Sequence, residues 1–337
     1  MDADTAVSAV ILTRGRPDLL RACLRSVLAA GKPLEILAGV DGEDPASARV
    51  LAEFGGSVRS VQLARMCRGE ARNRLASLAR GRWLCFLDDD TVLPAGYFDR
   101  LEALILANPG AAVFGGGQLL SPAAGRFESA AYALLSSPWG SGPFRERFSP
   151  VFGTASAGPG KFILCNLTLD SRFLREHGVA FEGHLTSAEE NLLLGRMAAA
   201  GAVMVLSGDL NLVHRRRCGL SAFLRQVFSC GRGRGQITLM SPKGFSVFTL
   251  LPPAALAALL AAGPARALLP AAVYSACCLL AALLSGGTLW RRLAVLPLFP
   301  ALHGAYAAGW LCGAAEELLE RFFRRRNPGR CYCEGKT

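Results

Sequence analysis

The chain reads as an α/β protein with a mostly parallel sheet and flanking helices, followed by apolar, membrane-type C-terminal helices. Three observations predict this. Short apolar runs alternate with amphipathic stretches between Val7 and Asp90. Acidic residues cluster where those runs end, the position at which open α/β sheets bind ligands. Nearly all the acids lie in residues 1–244, whereas 245–315 are dominated by Leu, Ala, Pro and Gly.

Each element follows from local signals. Val7–Leu12 is a buried strand, and Thr13-Arg14-Gly15-Arg16-Pro17 turns the chain. Pro17 opens a helix with Leu19, Leu20, Cys23, Leu24 and Val27 on one face, and Gly31 stops it. Leu34–Val40 is a second strand, followed by the polar loop Asp41-Gly42-Glu43-Asp44-Pro45. A helix over Ala46–Phe54, a strand over Val58–Leu63 and a helix over Glu70–Ala79 come next, with Gly81 as the stop. Trp83–Leu87 is a strand that ends in three aspartates. Thr13, Asp41 and Asp88-Asp89-Asp90 therefore all fall at carboxyl ends of strands.

Residues 115–160, rich in Gly, Ser and Pro, read as a long loop region, a lid or an acceptor-facing segment. Phe162–Leu169 resumes as a strand, Glu189–Ala200 as an amphipathic helix and Val203–Leu206 as a strand. His214–Arg217, Arg225, Arg232 and Arg234 form a basic stretch. It reads either as a solvated stretch near anionic headgroups or as a clamp on a phosphorylated acceptor. Gly231, Gly233 and Gly235 imitate a phosphate-cradling loop, but no strand precedes them.

The domain expectation is a catalytic domain over 1–240, membrane helices over 245–315 and a basic polar tail over 316–337. Segments 245–263, 267–286 and 293–313 are each long enough to cross a bilayer. Pro252-Pro253 weakens the first and Arg291-Arg292 separates the last two. Three full spans would carry the tail Arg321–Arg326 away from the cytosol, against the positive-inside tendency, whereas two spans and one interfacial segment would keep it inside.

Net charge is +11, with 51% hydrophobic residues. Without zinc-finger spacing or an aromatic RNP pattern, these numbers point to phosphates and a membrane, not to nucleic acid. The eleven Cys are scattered, some within apolar runs (Cys85, Cys277, Cys278), which suits a reducing cytosol better than a disulfide framework. Cys331 and Cys333 read as part of a flexible tail. Asp2, Asp4 and the short run Val7–Leu12 do not make a signal peptide, so the globular part is expected in the cytosol.

Phe86-Leu87-Asp88-Asp89-Asp90-Thr91 is the strongest chemical signal. Three carboxylates at a strand end repel one another and call for a counter-charge. Mg²⁺ or Mn²⁺, with oxygen ligands, would supply it and bridge to substrate phosphates. The alternative is a solvated acidic turn or a helix N-cap.

Taken in order, several segments resemble the family 2 glycosyltransferases of the Rossmann-like GT-A fold, over residues 7–235. Val10–Pro17 resembles the opening strand and turn, Val40-Asp41-Gly42 the second-strand aspartate and Ala71-Arg72-Asn73-Arg74 the Ala-Arg-Asn element. Phe86–Asp90 resembles the DxD strand, with Asp88 and Asp90 in the D positions, and Ala188-Glu189-Glu190-Asn191 stands where the family has Glu-Asp. His214 with Phe223–Gly233 resembles the late His and basic segment.

The resemblance implies an inverting, metal-dependent transferase that moves a sugar from a nucleotide diphosphate, with a UDP-sugar favoured, to a lipid-linked or glycan acceptor. The expected setting is cell-surface polysaccharide or glycolipid synthesis, multi-pass in the inner membrane with the catalytic domain cytoplasmic. It implies nucleotide-sugar binding by Thr13, Arg16, Asp41, Arg72, Asp88 and Asp89. It implies metal binding by Asp90 and Asp88, and a base from Glu190 or Glu189. His214 is either a third metal ligand or a surface histidine.

Some positions depart from the family. Leu12 replaces a common Pro, Asp41-Gly42-Glu43-Asp44 alters the ribose loop, and Glu190 replaces the usual Asp. The Gln-x-x-Arg-Trp element of processive synthases is missing, which implies transfer of a single sugar. The rival readings are a nucleotidyltransferase of related topology, poorly served by Arg14-Gly15-Arg16, and an inactive membrane-tethered binding protein, opposed by the intact acidic groups.

Overall fold

A computed structural model describes residues 4–185, 187–216, 218–241, 246–285 and 288–326. Arg217, Cys331 and Cys333, most of the basic tail, and the side chains of Arg324–Arg326 lie outside the described residues. The chain forms two compact units: residues 1–121, 146–184 and 189–215, and residues 122–145, 185–188 and 216–337.

Elements are numbered along the whole chain. The first unit opens with β1 (Val7–Thr13), α1 (Pro17–Ala29), β2 (Glu35–Asp41), α2 (Pro45–Glu53), β3 (Arg59–Leu63), α3 (Arg68–Leu78) and β4 (Trp83–Asp88). It continues with β5 (Thr91–Val92), α4 (Tyr97–Ala107), β6 (Ala111–Gly115), β7 (Gln118–Leu119), β8 (Thr154–Ser156), β9 (Asn166–Asp170) and α7 (Ser171–Glu176). α8 (Glu189–Ala199), β10 (Val203–Ser207) and β11 (Leu212–His214) complete it.

Eight strands form one sheet in the order β3-β2-β1-β4-β9-β6-β10-β8. β3, β2, β1 and β4 are parallel, β9 runs antiparallel to both β4 and β6, and β8 antiparallel to β10. β1 shows why its sequence is continuously apolar. Val7, Ala9 and Ile11 join the core under α1, α2 and α4, while Val10 joins the opposite core under α3 and α8. A strand covered on both faces has no polar side. Helix α1 begins on Pro17 and buries Leu20, Cys23, Leu24 and Val27, one stripe at helical spacing.

Two details of α3 bear on function. A Cβ at Gly39 of β2 would lie 2.8 Å from Leu75, so the glycine lets α3 seat tightly on the sheet. A Cβ at Gly69 would overlap the Glu182 carbonyl. The first approach seats α3, which carries Arg72, on the sheet, and the second holds its first turn against the loop after α7.

The second unit consists of α5 (Arg126–Leu135), α6 (Pro138–Ser141), α9 (Leu220–Met240), α10 (Leu251–Leu284), α11 (Leu289–Val295) and α12 (Leu298–Arg326). Its core gathers Ala130, Leu134, Phe223, Val227, Val295, Phe299 and Leu302. The segment expected to be loop therefore contains the ten-residue helix α5, whose apolar positions Ala130, Ala131 and Leu134 give it a buried face. The glycine run is also not a loop. Gly231 and Gly235 lie within α9, and Gly309 and Gly313 within α12, and a Cβ on any of them would overlap a carbonyl of the facing helix. The run is a helix–helix seam of small residues.

Among the described residues, two helical stretches, not three, are long and apolar enough to cross a membrane: Arg266–Leu284 and Leu289–Phe323. The first apolar segment is a shorter helix, Leu251–Gly263, which breaks where Gly263 takes φ +73°. Pro252-Pro253 sits in its first turn, where the missing N–H costs no hydrogen bond.

Candidate active site

The carboxyl edge of the central strands carries the expected residues. Thr13 ends β1, Asp41 ends β2 and Asp88 ends β4, with Asp89 and Asp90 in the turn to β5. Thr13 Oγ1 donates to Asp89 Oδ2 at 2.7 Å, tying the ends of two adjacent strands. Arg16 reaches across from the first turn, pairing Nη1 with Asp90 Oδ2 at 2.5 Å and Nη2 with Asp89 Oδ1. Burial opposes the charge on Arg16, but Asp90, Asp89 and Asp88 outweigh it and hold its pKa above the ordinary value. Asp89 is fully buried, and burial pushes its carboxyl up to about 7; Arg16 opposes this, and Asp90 and Asp88 add to it.

A second, three-stranded sheet of order β5-β11-β7 delivers His214. His214 pairs with Thr91 across β11 and β5, and Leu212 with Gln118 across β11 and β7. His214 Nδ1 lies 2.9 Å from Gln118 Oε1 and Nε2 lies 3.0 Å from Asp90 Oδ1. A neutral imidazole has one N–H. Donated to Gln118, it leaves the Nε2 lone pair facing the carboxylates. An imidazole oriented this way beside Asp88 and Asp90 is a donor set that fits a divalent cation. The buried, bonded His214 is not the surface histidine of the alternative reading.

Arg72 joins the triplet to the acidic pair. Its guanidinium, nearly fully buried, binds Glu189 and lies 3.5 Å from Asp88. Burial raises the Glu189 pKa; Arg72 opposes the shift and the charge of Glu190 adds to it. Glu190 is held by Arg147 Nη2 at 2.5 Å and by Asn191 at 2.8 Å, and Arg147 also donates to Asn191 at 2.9 Å. Both acids open α8, where the helix dipole favours negative charge. Ala188, just before them, is the only non-glycine with positive φ (62°) among the described residues, a strained conformation of the kind found at functional sites.

Asp41 stands apart from this network. Its carboxylate is held by Arg65 at 3.3 Å and by the Met66 N–H at 3.3 Å, with Arg14 at 4.0 Å. Sequence reasoning missed Arg147, Gln118 and Arg65. Arg147 fell inside the supposed loop, and β7 has only two residues, too few for a periodic signal.

Residues 8–154 match the model of the family described as glycosyl transferase family 2. That stretch of the chain is thus similar to the family, and it includes β1–β4 with the aspartate triplet. Among solved structures it is similar to a mannosyltransferase, PcManGT from Pyrobaculum calidifontis in complex with GDP-Man and Mn²⁺, at 17% identity and TM-score 0.57, covering 90% of this chain and 86% of that one. It is also similar to S. aureus TarS 1–349, at 14% identity and TM-score 0.50, covering 97% of this chain and 93% of that one. No curated protein sequence matches it. The triplet, Arg16, Arg72, His214 and the acidic pair all belong to the first unit.

Proposed function

We propose that the protein is a metal-dependent, inverting glycosyltransferase that uses a nucleotide-diphosphate sugar. The observation that carries this reading is Arg72, which links Asp88 at the end of β4 to a buried acid on α8. One guanidinium thus connects a diphosphate-binding edge to a candidate base. The family 2 match and the neighbour bound to GDP-Man and Mn²⁺ support it.

Asp41 at the end of β2 binds the base or ribose, with Arg65 fixing its carboxylate. Thr13, Arg16, Arg72 and Asp89 shape the diphosphate site. Asp88, Asp90 and His214 would hold Mn²⁺ or Mg²⁺, which supplies Lewis-acid neutralisation of the diphosphate leaving group. Arg16 now bridges Asp89 and Asp90; in the presence of substrate its guanidinium is placed to turn to a phosphate oxygen. Glu190 or Glu189 takes the acceptor's hydroxyl proton. The hydroxyl oxygen then bonds to the anomeric carbon as the bond to diphosphate breaks on the opposite face, which inverts the centre.

A lipid-linked acceptor and a membrane location fit the exposed apolar surface of the C-terminal helices, including Leu260, Leu268, Leu269, Leu284 and Leu289. A UDP-sugar is the expected donor, and the catalytic unit faces the cytosol, where nucleotide sugars are made. Calorimetric titration of UDP and GDP, with and without Mn²⁺, tests the reading. Metal-dependent binding of one of them is expected; no binding of any nucleoside diphosphate in either condition overturns it.

A further inference from the structure

Cys165 plays no part in the reaction described above, yet it sits at the site. The antiparallel pairing of β4 with β9 runs through Leu87 opposite Asn166. Asp88 ends β4 just beyond that pair, and Cys165 lies in the turn just before β9. From the second sheet His214 approaches the same point, and the carboxylate, thiol and imidazole ligand atoms of Asp88, Cys165 and His214 all lie within 4.8 Å of one another. Ligand distances of about 2.0–2.3 Å bring such a set to one ion with side-chain adjustment alone.

A second observation comes from Gln118, which is fully buried. Its Oε1 lies 2.9 Å from His214 Nδ1, and its Nε2 donates to Cys165 Sγ at 3.5 Å. One amide thus orients the imidazole with Nε2 toward Asp90 and places a donor on the sulfur. Metal ligands are commonly held by outer partners of this kind.

We propose that Cys165 is a fourth protein ligand of the cation, beside Asp88, Asp90 and His214, making the site an O/N/S set that prefers thiophilic divalent ions to Mg²⁺. The inference rests on the metal site of the proposed function and adds the ligand that sets its selectivity. Hard carboxylates alone suit Mg²⁺ or Mn²⁺, whereas imidazole and thiolate shift preference toward Co²⁺, Zn²⁺ or Cd²⁺. Coordination replaces the S–H bond with a sulfur–metal bond and releases the proton to solvent. Gln118 is a positioning residue for both ligands.

The test is Co²⁺ titration of the full chain after EDTA treatment, read by absorption, with circular dichroism to check folding. The wild type is expected to show a sulfur-to-cobalt charge-transfer band, together with cobalt d–d bands. Cys165→Ser and Cys165→Ala lose the first band, and with it the preference for Cd²⁺ over Mn²⁺ in competition. Gln118→Leu weakens Co²⁺ binding by about 10–100-fold. A Cys331→Ser/Cys333→Ser variant keeps the band; its loss there would assign the sulfur to the tail and overturn the proposal. Should the Cys165 variants fail to fold, X-ray absorption of the Zn²⁺ form of that tail variant decides, a sulfur shell at about 2.3 Å being expected. Cobalt bound with d–d bands but no sulfur signal overturns the role of Cys165 and leaves the metal site standing. No binding of Co²⁺, Mn²⁺ or Mg²⁺ removes both.

Discussion

Asp89→Asn offers a quantitative check on the electrostatics of the site. The Asp89 carboxyl is buried between Thr13 and Arg16, and its pKa rises from 3.8 to about 7 because burial outweighs the pull of Arg16. The folded chain therefore holds a proton there that the unfolded chain has lost. The protonated carboxyl stabilises the fold fully below pH 3.8, and that contribution declines as pH rises to about 7. A displacement of this size is worth about 4 kcal/mol over the whole range, of which about 3 kcal/mol falls between pH 5 and pH 8. Asparagine copies the protonated carboxyl without its titration. Stability of the first unit is read in EDTA from hydrogen exchange of β1 and β4 amides during urea unfolding. The wild type should lose stability relative to Asp89→Asn as pH rises from 5 to 8, leaving the variant equal or superior at pH 8. Parallel pH profiles, or a wild type that gains on the variant as pH rises, would refute the reasoning.

Arg147→Met leaves the buried Glu190 carboxylate without its cation and should cost about 3–5 kcal/mol, with much of the loss recovered in Arg147→Met/Glu190→Gln, as measured by exchange protection of α8. Gly309→Leu forces a side chain onto the Phe228 carbonyl across the α9–α12 seam, and should cost about 1–3 kcal/mol or more in the unfolding of that helix pair. Of Glu189→Gln and Glu190→Gln, the one that removes the base should lower kcat by about 10²–10⁴-fold while nucleotide binding stays within error. If both variants retain full turnover, the acidic pair has no role in proton transfer.

The strands and helices of the first unit were legible because each carries its own periodic signal. Pro17 starts α1 and Val7–Leu12 reads as β1 without reference to the rest of the chain. The placement of Thr13, Asp41 and Asp88 at strand ends was legible for the same reason, since the end of an apolar run marks the end of a strand. What was hidden depends on pairing across long separations. Gln118 reaches His214 across 96 positions, and Arg147 reaches Glu190 across 43, with no local pattern to announce either contact. The α9 glycines had no reading of their own in the sequence, because they serve a close helix contact that the partner glycines Gly309 and Gly313 explain. Similarly, Gly and Ser in residues 115–160 concealed α5, whose apolar stripe is only a few residues long.

The central claim, metal-dependent sugar transfer at the β4 edge, is tested most directly by release of nucleoside diphosphate. The purified full chain is incubated with a panel of UDP- and GDP-sugars and membrane lipid extract, with Mn²⁺ or with EDTA, alongside Asp90→Asn. The account predicts diphosphate release from one donor that needs both metal and extract and is lost in Asp90→Asn. Release that persists equally in EDTA and in Asp90→Asn, or no release from any donor, would contradict it.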